Sequence, residues 1–158
     1  MRNVRRRTVA PILLLSIAVM SAGFAASAGA SNASIKQVLK SALPQIVEEE
    51  GRVVTALDEY KKTGNLAPVD EAVNKNVALL KEIRAKIAKQ HASNAKGRRG
   101  KAKLERGLKR VARAYKKLER ALGLKHTHPG ASKKLARKAL RAIKKADREL
   151  EEAVALLR

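Results

Sequence analysis

The sequence predicts an all-α protein: an antiparallel up-and-down helical bundle of four helices, the first kinked or broken at Pro44, after an N-terminal signal peptide. Three observations predict it. Apolar residues recur at helical spacing in four segments, and strand-type alternation occurs nowhere in the 158 residues. Short connectors carrying Gly, Pro or Asn separate the segments, which favours antiparallel neighbours. Cysteine and tryptophan are absent, and beyond residue 30 the only aromatics are Tyr60 and Tyr115. The core is then Leu, Ile, Val and Ala, a composition that suits closely approaching helices.

The first thirty residues stand apart from the fold. Arg2, Arg5, Arg6 and Arg7 precede an apolar stretch, Val9 to Met20, and a run of small residues, Ser21 to Ala30. A positive start, a short apolar core and small residues at a cleavage point are the layout of a secretory signal peptide. Residues 1–30 are read as that signal, with cleavage near Ala28 or Ala30, and residues 31–158 as one basic helical-bundle domain. The alternative is an anchor retained at residues 9–30, but its densely apolar part is shorter than the ~20 residues of a spanning helix.

The first helix is expected from about Ser34 to Lys62, with Ser34 as N-cap and Ile35, Val38, Leu39 and Ala42 opening its apolar side. Pro44 lacks an amide proton and disfavours a helical Leu43, hence the expected kink or break. Thr63-Gly64-Asn65 is stop chemistry. A second helix starts near Pro68 and is expected to end between Ala92 and Lys96, ahead of a Gly97-Arg98-Arg99-Gly100 break. Val73, Val77, Leu80, Ile83 and Ile87 mark its inner side.

The third helix has the clearest pattern. Leu104, Leu108, Val111, Tyr115, Leu118 and Leu122 alternate steps of four and three, a heptad seam. With Leu108 as position a, positions b, c and f hold Lys109, Arg110, Arg113, Lys116, Lys117 and Arg120. Positions e and g are small or acidic and read as flanks. After the His126-Thr127-His128-Pro129-Gly130 loop, a fourth helix from about Ala131 to Leu157 has a broad apolar face, and a basic stripe that includes Lys134, Lys138, Arg141 and Lys145.

Charge dominates the composition. The formal net charge is +22; setting aside the four arginines of the leader leaves 32 of the 36 bases against 14 acids, a formal +18. The excess is local, since residues 96–145 hold twenty bases and two acids, Glu105 and Glu119. Pairing is expected between the end of the fourth helix (Asp147, Glu149, Glu151, Glu152) and the start of the third (Arg98, Arg99, Lys101, Lys103). It leaves most of the charge unmatched.

Enzyme chemistry has no constellation to work with. There is no cysteine nucleophile, no Gly-rich phosphate loop after a strand, no HExxH and no G-x-S-x-G. In an up-and-down bundle His91 lies at one end, and His126 and His128 at the other, roughly 35 Å away for ~25 helical residues. No metal site and no cofactor are expected. The expected role is non-enzymatic: polyanion binding through a basic helix face by an exported protein of the periplasm, cell envelope or extracellular space.

The candidate contacts are Arg98, Arg99, Lys109, Arg110, Arg113, Lys116, Lys117, Arg120, Lys134, Lys138, Arg141 and Lys145, with the 97–100 turn as a phosphate cradle. Expected partners are anionic polymers: envelope polysaccharide, teichoic-acid-like polymers or nucleic acid. Nucleic acid would be bound without regard to sequence, because no groove-reading motif or aromatic platform is present. No small-molecule substrate is expected. The competing readings are a structural or assembly bundle with a solvated basic face, including a homodimer, and attachment to membrane only through an uncleaved signal.

Overall fold

A computed structural model describes residues 32–158. The expected signal peptide, its cleavage near Ala28 or Ala30 and the alternative anchor at residues 9–30 lie outside the described residues. Among those described there are four helices and no strand: α1 (Ala33–Thr63), α2 (Ala67–Ala88), α3 (Ala95–Gly123) and α4 (Pro129–Leu157). None of these helices is long and apolar enough to cross a membrane.

In α1 the residues Ile35, Leu39, Ala42, Ile46, Val53, Ala56 and Tyr60 form one buried face. The helix is not broken at Pro44, which sits inside it. Pro44 and Lys40 are both exposed, so the carbonyl that loses its helical partner lies on the water side and the core side is undisturbed. Asn32, rather than Ser34, occupies the N-cap position. At the far end Gly64 takes a left-handed conformation (φ 72°) and its N–H donates to the Tyr60 carbonyl at 2.8 Å. Only glycine adopts that turn without strain. The Ala67 N–H then donates to Asn65 Oδ1 at 3.1 Å, and Pro68 lies in the first turn of α2.

The second boundary differs from the sequence expectation. Helix α2 stops at Ala88, and 97–100 is no break but part of the opening of α3. Asn94 accounts for the second, because its Oδ1 accepts the Gly97 N–H at 2.7 Å and starts the new helix there. Lys101 reaches back across the connector, and its Nζ donates to the carbonyls of Ala88 (2.6 Å) and Gln90 (2.8 Å). A cation thus satisfies carbonyls at the negative end of α2.

Each helix packs on its neighbours in sequence, and α3 with α4 is by far the most extensive pair. The g positions of α3, expected as mere flanks, explain why. Gly100, Gly107, Ala114 and Ala121 are all buried, one per heptad. A β-carbon on Gly107 would lie 2.7 Å from Leu150 Cδ2, and one on Gly100 would lie 3.0 Å from Leu157 Cγ and 3.2 Å from the Ala153 carbonyl. The opposing face of α4 carries Ala139, Ala146 and Ala153 at the same spacing, all fully buried. Small residues on both sides bring the backbones together, and Leu150 and Leu157 fill the gaps between them. The Ser132 hydroxyl, donating to the Ala121 carbonyl at 2.6 Å, fastens the other end of the pair.

Helix α3 therefore buries two faces. The g positions face α4, while Leu104, Leu108, Val111 and Tyr115 join a core shared by α1, α2 and α4. Burying these side chains, each of which contributes on the order of 1.5–3 kcal/mol, is the main source of stability in a chain without cysteine. Among the described residues Val47 is the only large hydrophobic side chain left exposed.

Candidate anion-binding face

With a, d, e and g occupied by packing, α3 has only b, c and f to present outward, and those positions are basic. Lys109, Arg113, Lys117 and Arg120 are exposed, and no carboxylate lies within ion-pair distance of them among the described residues. Arg110 and Lys116 behave differently from the sequence expectation that this side faces away from the acids. Arg110 pairs with Glu149 of α4 at 2.8 Å, both side chains being largely covered. Lys116 Nζ contacts Glu119 at 2.8 Å and donates to Asn74 Oδ1 of α2 at 2.6 Å. These two cations are engaged in joining helices.

The remaining basic residues cluster around two grooves. The groove between α2 and α3, about 640 Å³, has Val77, Leu80, Leu108 and Ala112 along its floor. Lys81 and Arg84 of α2 wall one side, and Lys109, Arg113, Lys116, Lys117 and Arg120 of α3 the other, Lys116 while held by Glu119 and Asn74. The groove between α3 and α4, about 490 Å³, is bordered by Arg106, Lys109, Arg110, Arg113 and Lys117 from α3 and by Arg141 and Lys145 from α4. Lys109, Arg113 and Lys117 border both, and neither lining contains a carboxylate. The groove between α1 and α2 is different: Glu48, Glu59 and Glu71 stand there beside Arg52 and Lys75. Positive charge is thus gathered on one side of the molecule.

Other predicted contacts fall elsewhere. Arg98 and Arg99 are exposed in the opening turns of α3, and Lys134 and Lys138 on the early turns of α4; none of the four borders either groove. The anticipated 97–100 phosphate cradle is not present as a turn, because the Gly97 amide is already bonded to Asn94. Across the α3–α4 seam Lys103 contacts Glu152 and Arg110 contacts Glu149, both in the first half or at the middle of α3. Lys81, Arg84, Arg106 and Lys144 are contributions that the heptad reading of α3 did not include; the last borders a third groove with Arg141 and Arg148.

The structure also brings together acids that the sequence reading left on the surface or passed over. Glu50 of α1 and Asp147 of α4 are both buried, 4% and 7% exposed, and meet beside Tyr115 of α3. The Tyr115 hydroxyl donates to the Glu50 carboxyl, whose Oε2 has no hydrogen-bond partner among the described residues. Burial, then the nearby Asp147 charge, pushes Glu50 from 4.5 up to about 8, although the Tyr115 hydrogen bond works against the rise. The Tyr115 hydroxyl is itself raised well above its ordinary value, by burial first and then by the two carboxylates. A signal for this cluster existed. Glu50 falls four residues after Ile46 and three before Val53, on the buried face of α1, and Asp147 falls four after Ile143 and three before Leu150.

Among the described residues no three His, Asp or Glu side chains gather as a metal site. His91 lies in the connector after α2, and His126 and His128 in the connector after α3. Both tyrosines are buried: Tyr60 donates to the Leu122 carbonyl at 3.3 Å, with Lys125 Nζ 5.2 Å from its ring centroid. Neither offers a free aromatic face to a ligand. No family model matches the chain, nor does any curated protein or solved structure.

Proposed function

We propose that this chain is a non-enzymatic, exported protein whose helices form an antiparallel up-and-down bundle, and that it binds polyanions of the cell envelope through the basic side of α3. The observation that carries the reading is the pair of adjoining grooves sharing Lys109, Arg113 and Lys117, with no carboxylate in either lining. A merely solvated face would disperse its charge or pair it, as α1 does through Arg52 with Glu48 and Glu49. Here like charges from α3 and α4 confront one another across a cleft. That arrangement concentrates anions and is relieved by them.

Export rests on the leader-like residues 1–30 and on the charge itself, which suits phosphate- and carboxylate-rich envelope polymers. The assembly reading draws less support. An apolar homodimer seam needs a patch of exposed hydrophobic surface, and Val47 is the one exposed large hydrophobic side chain among the described residues.

The test is retention on an immobilised polyanion as a function of salt. Binding should weaken steeply as salt rises, with log K falling linearly in log salt. Replacing Lys109, Arg113 and Lys117 by Gln should weaken binding and flatten that slope by about 2–3, close to one unit per lost contact. Unchanged retention and slope in the triple variant would refute the face named here. Arg110 is left out of the set, because losing it would also strand Glu149.

A further inference from the structure

Resting on the polyanion reading, the geometry of the α2–α3 groove points to a more specific ligand. We infer that this groove seats a single linear phosphodiester chain without bases, of the polyol-phosphate class, lying along the helix axes. Three observations lead there.

The first is spacing. Lys109, Arg113, Lys117 and Arg120 follow one another at steps of four, four and three residues along a wall of the groove. At 1.5 Å per residue their rise along the axis is about 6, 6 and 4.5 Å, a zigzag ridge whose ends lie about 16–17 Å apart. A phosphodiester with three carbons between phosphates repeats every six backbone bonds. Three bonds of extended peptide span about 3.5 Å, so six span about 7 Å, and a slightly contracted chain keeps step with the row. The phosphates of a duplex wind around its axis and leave such a row quickly.

The second is that the groove has two charged walls. Lys81 and Arg84 of α2 face the α3 row from the other side. A narrow chain between them is neutralised from both sides, whereas a wider polymer resting on the rim meets one wall.

The third is the floor. Val77, Leu80, Leu108 and Ala112 offer apolar surface of low polarisability, over which charge–charge attraction is stronger than in open water. The same floor accepts the CH and CH₂ groups between phosphates. It offers no aromatic ring for a base to stack on, since both tyrosines are buried elsewhere.

The experiment compares three end-labelled polyanions of equal charge with the full chain by fluorescence anisotropy: poly(glycerol phosphate), a single-stranded oligonucleotide and a sulfated polysaccharide. Poly(glycerol phosphate) is expected to bind at least about fivefold more tightly than either of the others. Lys81→Glu with Arg84→Glu should weaken it by a factor of ten or more. Lys40→Glu with Lys62→Glu, exposed α1 positions with the same change in charge, should weaken it twofold or less.

The milder Lys81→Gln with Arg84→Gln, checked for native helicity by circular dichroism, should still cost about threefold, which separates lost contacts from lost folding. Equal losses in the α1 and α2 variants, or preference for the polysaccharide or the oligonucleotide, would overturn the groove assignment and leave the polyanion reading standing. Failure of all three polymers to bind would overturn the polyanion reading itself.

Discussion

Replacing Glu50 by Gln removes a buried carboxyl whose ionisation opposes folding. In the unfolded chain Glu50 loses its proton near 4.5; in the folded protein it holds it to about 8, first because burial leaves little water to solvate the charged form and second because of the neighbouring Asp147. The folded state therefore binds more protons than the unfolded state between those two values. Stability contributed by the protonated group is complete below about pH 4.5 and declines as pH rises towards 8. Each unit of pKa difference corresponds to about 1.4 kcal/mol, so the full effect is on the order of 5 kcal/mol, of which about 3–4 fall between pH 5 and 8.

Gln is neutral throughout, nearly isosteric, and keeps an oxygen for the Tyr115 hydroxyl. Urea denaturation of both proteins, followed by circular dichroism at pH 5, 6, 7 and 8, removes the contribution of the other titrating groups by difference. The Glu50→Gln variant should be close to the parent at pH 5 and more stable by about 3 kcal/mol at pH 8. Parallel pH profiles, or a parent that gains on the variant as pH rises, would refute the buried, proton-holding carboxyl.

Two further predictions use the same denaturation assay. Gly→Ala should have opposite signs at two helical sites. At Gly51, where an added β-carbon meets nothing within 4 Å, it should stabilise by about 1 kcal/mol through helix propensity. At Gly107 the same gain is outweighed by overpacking against the buried Leu150, for a net loss of roughly 1–2 kcal/mol; equal effects at the two sites would mean that α3 and α4 are not in close contact. Raising salt from about 20 to about 500 mM should increase the melting temperature, by about 3–6 °C for each kcal/mol of repulsion screened. An unchanged or lower melting temperature would show that the basic grooves store no repulsion.

Much of the helical organisation was legible because periodicity is a direct record of burial. Leu104, Leu108, Val111 and Tyr115 are buried as the heptad required, and the Gly64 stop and the Pro68 start lie where their chemistry puts them. What was not legible depends on more than one helix. Pro44 reads as a breaker in isolation; that it is tolerated depends on which side of α1 faces water. The 97–100 segment reads as a turn from its glycines, but one side chain, Asn94, decides that α3 begins before it. Those glycines serve packing instead: a heptad of small residues matters only once another helix supplies a matching row, as Ala139, Ala146 and Ala153 do. The same limit applies to the candidate face. The α3 ridge was visible, whereas the withdrawal of Arg110 and Lys116 into ion pairs and the arrival of Lys81 and Arg84 opposite Lys109 depend on which helices become neighbours.

The close α3–α4 seam and the charge around it bear on each other. Small residues bring two backbones together, and with them the two most basic helices of the chain. Lys103–Glu152 and Arg110–Glu149 offset the resulting repulsion in the first half of α3 and at its middle. Further along, Arg113 and Lys117 stand across a cleft from Arg141 and Lys145 with no acid in the lining. Glutamate is as good a helix former as lysine, so an acidic residue at one of these exposed positions would relieve the repulsion at no cost in helicity. Packing alone gives no reason to leave it out. On the proposed function an anion taken from solution supplies one, because repulsion in the empty cleft would become attraction once the cleft is occupied. Ligand binding and folding stability are then linked through the same cations, and a polymer that fits should raise the melting temperature beyond what simple salt achieves.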